Sequence, residues 1–275
     1  MLQQKGITPK KSLGQHFLKD LRVIERIVDS LNLSPEDRIL EIGCGTGALT
    51  KRLAGRTQQY VGIELDNTLV GRLKQEFEGF HTAFLHQDIL SLRWDRLQSD
   101  YLTPGAKFKV VGNLPYYISK RIISILAQRS SVLEMAVIML QAEVADRVTA
   151  APGGRQYGVL TLLAQYYFDC ESLFSVGPRA FTPPPEVASK VLRLTPKSSR
   201  PLPSDQESGF LDFTKRCFSQ RRKTLRNCVK GFRGVSERML QDFLKAHSYS
   251  PDVRPERVSL DDFVGLYSVV VGGTE

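Results

Sequence analysis

Short apolar runs alternate along this chain with stretches whose apolar residues recur every three or four positions. The runs are strand-sized, and the periodic stretches predict amphipathic helices. A first helix is expected behind an N-cap at Asp20, with Val23, Ile24, Ile27, Val28 and Leu31 on one face and Ser34-Pro35 closing it. The first strand is Arg38-Ile39-Leu40-Glu41-Ile42, followed by Gly43-Cys44-Gly45-Thr46-Gly47 and then by helix spacing over 48–54. Tyr60-Val61-Gly62-Ile63-Glu64 predicts the second strand and residues 82–88 the third. Between them, 67–77 predicts a helix with Leu69, Leu73 and Phe77 on one face. Residues 107–112 predict the fourth strand, 118–128 a helix and 135–140 the fifth strand. Helices are expected over 141–148 and 157–166, and the last two strands over 168–176 and 190–195. Strand and helix in alternation predict an α/β domain built on a parallel sheet.

Pro196-Lys197-Ser198-Ser199-Arg200-Pro201-Leu202-Pro203 is a polar, proline-rich joint, and the domain boundary is placed there. Residues 1–195 then form one domain and 196–275 a smaller, all-helical one. Phe210, Phe213, Cys217 and Phe218 make one apolar stripe of that second domain, and Leu225, Cys228, Val229 and Phe232 another.

Composition narrows the class. A chain of 275 residues that is 41% hydrophobic has ample core for a globular protein. No apolar run approaches the ~18 residues of a membrane span, and Met1-Leu2-Gln3-Gln4-Lys5 lacks the apolar centre of a signal peptide. Cys44, Cys170, Cys217 and Cys228 are scattered without a CxxC pair, and the four histidines show no ligand spacing. The expectation is a cytoplasmic protein and a monomer, without metal or membrane. The net charge of +9 favours a polyanionic partner. Its distribution is uneven: eight Lys or Arg and no acid fall between positions 215 and 233. On one continuous helix Lys215, Arg222, Arg226, Lys230 and Arg233 would share a face, a break near Ser219 being the alternative, and the run reads as a nucleic-acid contact.

Candidate chemistry gathers at the predicted strand ends. Glycines at 43, 45 and 47 follow the first strand and let a ligand touch the main chain. Residues 43–48 also satisfy the dinucleotide pattern with Ala48 in last place, so the loop alone does not separate a dehydrogenase from a methyltransferase. Glu64 stands 21 positions after Gly43, the offset at which a carboxylate can accept both ribose hydroxyls. Asp88 ends the third strand and can accept an adenine amino group. Asn113-Leu114-Pro115-Tyr116-Tyr117 follows the fourth strand. Hydride transfer has no need of an amide, a stiff turn and a ring there; chemistry on the amino group of a base does. The Asn113 oxygen and a carbonyl of Leu114 or Pro115 can accept two amino hydrogens, and Tyr116 can stack on the base. Phe181-Thr182-Pro183-Pro184-Pro185 is a stiff extended segment that would hold Phe181 as a second wall.

Taken in order, the motifs Lys11-Ser12-Leu13-Gly14-Gln15-His16-Phe17-Leu18, Glu41-Ile42-Gly43-Cys44-Gly45-Thr46-Gly47, Glu64, Gln87-Asp88, Asn113-Leu114-Pro115-Tyr116 and Phe181-Thr182-Pro183-Pro184-Pro185 resemble the bacterial small-subunit (16S) ribosomal RNA adenine dimethyltransferases. Phe218-Ser219-Gln220-Arg221-Arg222-Lys223-Thr224-Leu225-Arg226-Asn227 is similar to that family's C-terminal helical domain. The family often has Asn where His16 and Tyr117 stand. The resemblance implies a class I S-adenosylmethionine-dependent methyltransferase, with a Rossmann-like, seven-stranded, mostly parallel sheet. It implies S-adenosyl-L-methionine at His16, Leu18, Gly43, Glu64, Asp88 and Asn113, and catalysis by Asn113, Leu114, Pro115 and Tyr116. The base would lie against Tyr116 and Phe181, and RNA against Arg221, Arg222, Lys223 and Arg226. The substrate would be two adjacent adenines in a hairpin near the 3′ end of small-subunit RNA, each methylated twice on its amino nitrogen during ribosome biogenesis. Three alternatives stand beside this: a large-subunit (23S) enzyme of the antibiotic-resistance type, a non-catalytic nucleic-acid-binding assembly or transcription factor, and a nicotinamide oxidoreductase. Methylation of each purified RNA separates the first, loss of Asn113 or the glycine loop would mark the second, and titration with nicotinamide cofactor tests the third.

Overall fold

A computed structural model describes residues 8–10, 13–220, 222–232 and 235–272. Lys5, Lys11, Ser12, Arg221 and Arg233 lie outside the described residues. The chain divides into two units. The first comprises Met1–Ala145 and Phe168–Pro196, the second Asp146–Tyr167 and Lys197–Glu275. The boundary expected after residue 195 falls where the chain leaves the first unit for the last time. Residues 146–167, expected in the first domain, group with the second unit instead.

The first unit opens with β1 (Phe17–Leu18), α1 (Leu21–Asp29), β2 (Arg38–Ile42), α2 (Thr50–Leu53), β3 (Gln59–Glu64) and α3 (Asn67–Glu76). It continues through β4 (Thr82–His86), α4 (Trp94–Tyr101), β5 (Phe108–Asn113), α5 (Ser119–Gln128) and β6 (Leu133–Gln141). After α6 (Ala142–Val148) and α7 (Val159–Tyr167), β7 (Phe168–Val176), β8 (Phe181–Thr182) and β9 (Ser189–Pro196) complete it. Seven strands form one sheet in the order β4-β3-β2-β5-β6-β9-β7. β2 to β6 run parallel, and β9 is antiparallel to both β6 and β7. β2, β3 and β5 are buried along nearly their whole length, which is why they read as apolar runs rather than alternating patterns. The strand order reverses at β2, with β3 on one side and β5 on the other, and this switch point is where an open α/β sheet leaves a crevice for ligand.

Two local choices shape that crevice. Gly112 in β5 is required by space, because a Cβ there would stand 2.5 Å from the Ile42 carbonyl oxygen. Gly47 has φ +79°, so α2 starts only at Thr50 rather than at residue 48 as the spacing predicts. Asp20 caps α1 as expected, accepting from the Arg22 and Val23 N–H groups. β1 pairs with β8 in a separate two-stranded sheet, Phe17 opposite Thr182 and Leu18 opposite Phe181.

The second unit holds α7 with α8 (Glu207–Cys217), α9 (Leu225–Val229), α10 (Glu237–Ala246) and α11 (Leu260–Gly272). Phe210, Phe213, Cys217, Leu225, Cys228 and Val229 are buried, so both expected stripes supply its core. The basic stretch is not one helix. α8 stops at Cys217 and α9 starts at Leu225 behind a Thr224 cap, so Lys215 and Arg226 do not share a helical face. Arg216, though exposed, donates to the carbonyls of Cys228 and Lys230, at 3.1 and 3.2 Å. Among the described residues no helix is long and apolar enough to cross a membrane.

Beneath the glycine loop of the first unit, Glu41 is only 1% exposed. It accepts from the Tyr60 hydroxyl and, at 3.0 Å, from Thr50 Oγ1. Burial raises its carboxyl from the ordinary 4.5 to about 7, against the two hydrogen bonds, which lower it. Its folded-state value exceeds the unfolded one, so between pH 4.5 and about 7 the folded chain holds a proton that the unfolded chain has released. Stability therefore falls as pH rises through that window, by about 3 kcal/mol from this group. Glu41→Gln keeps an acceptor for Tyr60 and Thr50 and carries no charge, so its stability should change less with pH. Urea denaturation of both proteins at intervals from pH 5 to 8 is the measurement. Parallel curves for wild type and variant would remove Glu41 as the source.

Candidate active site

The carboxyl ends of β2, β3, β4 and β5 open onto one cavity in the first unit. Gly43, Glu64, Asp88, Asn113 and Tyr116 all line it, so four separated stretches of sequence converge there. Residues 13–18 complete the wall.

Glu64 is buried and holds the loop in shape. One of its oxygens accepts the Gly45 N–H at 2.8 Å and the other the Asp66 N–H at 2.9 Å. Gly45 makes this bond with φ +55°, a conformation that costs other residues strain. An ionised carboxylate has about four lone-pair sites, so each oxygen keeps capacity for a ligand hydroxyl. Asp88 caps the short turn at Ile89–Ser91 by accepting from Leu90 N–H at 2.9 Å, and it lines the cavity as well. Capping this turn is therefore compatible with accepting from a ligand.

Asn113 is the last residue of β5, and its Nδ2 donates to the His16 carbonyl at 2.9 Å. Only the amino end of an amide can donate to a carbonyl, so Oδ1 is the end left for a ligand. The next carbonyls are not equivalent. Pro115 O accepts from the Ile118 N–H at 3.3 Å, whereas Leu114 is anchored through its N–H to Met139 O at 3.1 Å. Leu114 O is the main-chain acceptor that this turn does not use. Tyr116 is half-buried, with its hydroxyl 2.7 Å from Ser189 Oγ. Burial pushes that hydroxyl's pKa up, against the Ser189 bond. The His16 ring lies nearly parallel to the Tyr116 ring, 6.1 Å between centroids and tilted by 23°. Nδ1 of His16 donates to the Pro183 carbonyl at 2.8 Å. The His16 side chain is thus engaged with Tyr116 and Pro183, while its main chain orients Asn113. Leu18 is buried beside them in β1 and lines the cavity.

Phe181 does not fit the expected role. It is 1% exposed, belongs to the central core and does not line the cavity. Its pairing with Leu18 in the two-stranded sheet turns both side chains inward. Tyr117, by contrast, is 59% exposed at the cavity rim.

Several contacts carry no sequence signature. Lys10 Nζ and Gln15 Nε2 both reach Asp66 Oδ2, at 2.9 and 3.3 Å, and so tie the N-terminal segment to the residue that also bonds Glu64. Ser189 is another, since a lone Ser at the start of a strand gives no hint of a tyrosine partner. In the second unit Arg222 and Lys223 are exposed, but Arg226 pairs with Glu237 at 2.6 Å and Lys215 with Asp212 at 2.9 Å. The acid-free run therefore meets acids from just outside it. Arg221 lies outside the described residues.

The family model for ribosomal RNA adenine dimethylase matches residues 6–257. A curated relative from Pseudomonas fluorescens, Ribosomal RNA small subunit methyltransferase A, is 40% identical over 97% of this chain and 95% of its own length. Among solved structures, a dimethyladenosine transferase from Plasmodium falciparum has TM-score 0.73 and 26% identity, covering 91% of this chain and 96% of that one. The 23S rRNA methyltransferase ErmE has the same TM-score at 24% identity, covering 93% and 99%, and shares the fold. The matched span runs through every strand end that builds the cavity and on into the helical unit, and the chain belongs to the ribosomal RNA adenine dimethylase family.

Proposed function

We propose that this chain transfers methyl groups from S-adenosylmethionine to the amino nitrogens of two adjacent adenines near the 3′ end of small-subunit ribosomal RNA, in the cytoplasm, during small-subunit biogenesis. The name of the Pseudomonas relative, matched along nearly its whole length, supports the RNA target. The observation that carries the chemistry is the Asn113 amide, whose amino end is taken by His16 O so that its oxygen is left for a ligand, in a cavity that Leu114 and Tyr116 also line.

The cavity residues fit the methyl donor. Glu64 has lone pairs for ribose hydroxyls, Asp88 an oxygen for the adenine amino group, and Gly43 a bare backbone for close approach. His16 and Leu18 wall the same space. S-adenosylmethionine bound there supplies a methyl group already activated by positive sulfur. The protein's task is to prepare the nucleophile. The lone pair of an adenine amino group is delocalised into the ring and attacks poorly. Asn113 Oδ1 and Leu114 O can accept its two hydrogens, which draws the nitrogen toward tetrahedral geometry and aims the lone pair. Rate then comes from positioning and fixed dipoles rather than from a strong base. A base inside folded RNA must be unstacked first, and the Tyr116 ring replaces part of the lost stacking. Arg222 and Lys223, with Arg226 and Arg221, would hold RNA phosphates.

The direct test supplies undermodified small subunits and, separately, large-subunit RNA with labelled cofactor, maps the label and digests the product. Dimethyladenosine at two adjacent small-subunit positions is expected. Label confined to large-subunit RNA, or monomethyladenosine that persists after exhaustive reaction, would contradict the proposal.

Glu64 and Asn113 should separate binding from chemistry. Glu64→Ala should weaken cofactor binding by about 1.5–3 kcal/mol in calorimetry, the worth of charge-assisted bonds. Asn113→Ala should slow single-turnover transfer roughly 10²-fold, by analogy with a lost transition-state donor. Its RNA affinity should barely move. Unchanged cofactor affinity in the first variant, or a near-normal rate in the second, removes the corresponding role.

Replacing Arg222 and Lys223 by Ala should weaken RNA binding and flatten its salt dependence by ~0.7–0.9 for each phosphate no longer neutralised. Cofactor affinity should stay the same. A full salt slope in the double variant would place the RNA path elsewhere.

A further inference from the structure

The proline segment does not supply a second wall for the base, yet it and the strand that follows it each touch the site once. Pro183 O takes the His16 ring N–H at 2.8 Å, and Ser189 Oγ meets the Tyr116 hydroxyl at 2.7 Å. The two rings so held are the pair that lie nearly parallel beside Asn113. Ser189 is a stiff anchor. It begins β9, which is paired on both sides, opposite Gln141 of β6 and Val176 of β7. Just before it, the Ala188 carbonyl accepts the Ala142 N–H at 2.9 Å. The residue is 0% exposed. A buried hydroxyl without a partner is destabilising relative to an apolar side chain, so a serine here needs a bond, and Tyr116 provides it.

Tyr116 needs the same bond for a different reason. It stands in the turn after β5, where the helix α5 has not yet begun, so its main chain is less constrained than a strand's. Its ring torsion is broad and two-fold. The hydroxyl oxygen lies on the ring's own rotation axis, so a hydrogen bond there fixes where the far end of the ring sits, and the neighbouring, nearly parallel His16 ring limits rotation of its face. A stacking platform works only if its position is set before the base arrives, since a displacement of about 1 Å at a reacting centre can lower a rate by roughly 10².

We propose that Ser189 is a positioning residue for methyl transfer, whose hydroxyl holds the Tyr116 ring in the place that presents a flipped adenine to Asn113. The role rests on Tyr116 being the base platform. It requires no contact between Ser189 and either ligand. Deleting either hydroxyl removes the same bond, so Ser189→Ala and Tyr116→Phe should produce the same defect. Each should lower the single-turnover rate at saturating RNA about 5-fold, within the loss that small misplacement allows. The double variant should be no slower than the worse single, because the bond can be removed only once. Cofactor affinity should be unchanged in all three.

The experiment measures single-turnover transfer to undermodified small subunits for wild type, Ser189→Ala, Tyr116→Phe, the double variant and Tyr116→Ala, with calorimetry of cofactor binding alongside. Matching losses in the two single variants without further loss in the double establish the role. A wild-type rate for Ser189→Ala, or effects that multiply, overturn it. A packing defect at Ser189 alone would not be reproduced by Tyr116→Phe, which keeps the ring. If Ser189→Ala fails to fold, Tyr116→Phe still tests the bond from its other end, and a wild-type rate there overturns the proposal. The platform reading is tested apart by Tyr116→Ala. A normal rate in that variant sinks the platform and the Ser189 role together; a large loss there beside a normal Ser189→Ala sinks the Ser189 role only.

Discussion

The hydrogen bond from Asn113 Nδ2 to the His16 carbonyl decides which end of the amide faces the cavity. Rotated by half a turn, Asn113 would present two donors to an amino group that itself can only give hydrogens to an acceptor. The bond also joins segments nearly a hundred residues apart, so the acceptor geometry exists only when residues 13–18 are in place. Those residues are held by β1 pairing with β8, by Pro183 on the His16 ring, and by Lys10 and Gln15 on Asp66. Assembly of the N-terminal segment and orientation of the Asn113 amide are one event.

Electrostatics divide the molecule by task. The chain carries +9 overall, yet Glu41, Glu64 and Asp88 line the cavity. A site lined by carboxyl groups suits a cationic donor and disfavours phosphate, while the basic remainder suits RNA. The acids are not equivalent. Burial pushes Glu41 up to about 7, which leaves it partly neutral near physiological pH. Burial works on Asp66 in the same direction, but Lys10, Gln15 and the Thr68 N–H outweigh it and hold that carboxyl below the usual range. Asp66 therefore stays charged and keeps hold of the N-terminal segment.

What the sequence made legible was whatever depends on position along a single strand. Glu64, Asp88 and Asn113 were readable because ligands meet strands at their carboxyl ends, and the offset of Glu64 from Gly43 follows from one β-α-β unit. What stayed hidden depends on pairing between distant segments. Phe181 looked available because a two-residue strand leaves no periodic trace; its partner Leu18 turns it into the core. Residues 146–167 lie between two sheet strands in sequence, so nothing local reveals that they group with the later helices. Of the two readings of the basic stretch, the structure takes the broken one, for a local reason, the Thr224 cap that starts a new helix, while Arg226 is drawn off by a distant partner, Glu237.

In the proposed mechanism the rigidity that favours the first methyl transfer works against the second. Two fixed acceptors, Asn113 Oδ1 and Leu114 O, match the two hydrogens of an unmodified amino group. Once one methyl is in place a single hydrogen remains, and one acceptor must face carbon instead. A desolvated carbonyl left without a donor costs about 1–3 kcal/mol, enough to slow the second step about tenfold if nothing offsets it. Neither acceptor can move away cheaply: Leu114 is main chain, anchored to Met139 O, and Asn113 is held from behind by His16 O. The open side of the site is the rim, where Tyr117 is exposed and water can reach. The acceptor nearer the rim can trade the base's hydrogen for water at little expense, whereas the deeper one cannot. A site that dimethylates is therefore best served by unequal exposure of its two acceptors, and the geometry of this turn, with one acceptor on a side chain and the other on the main chain, permits that inequality without loosening the platform.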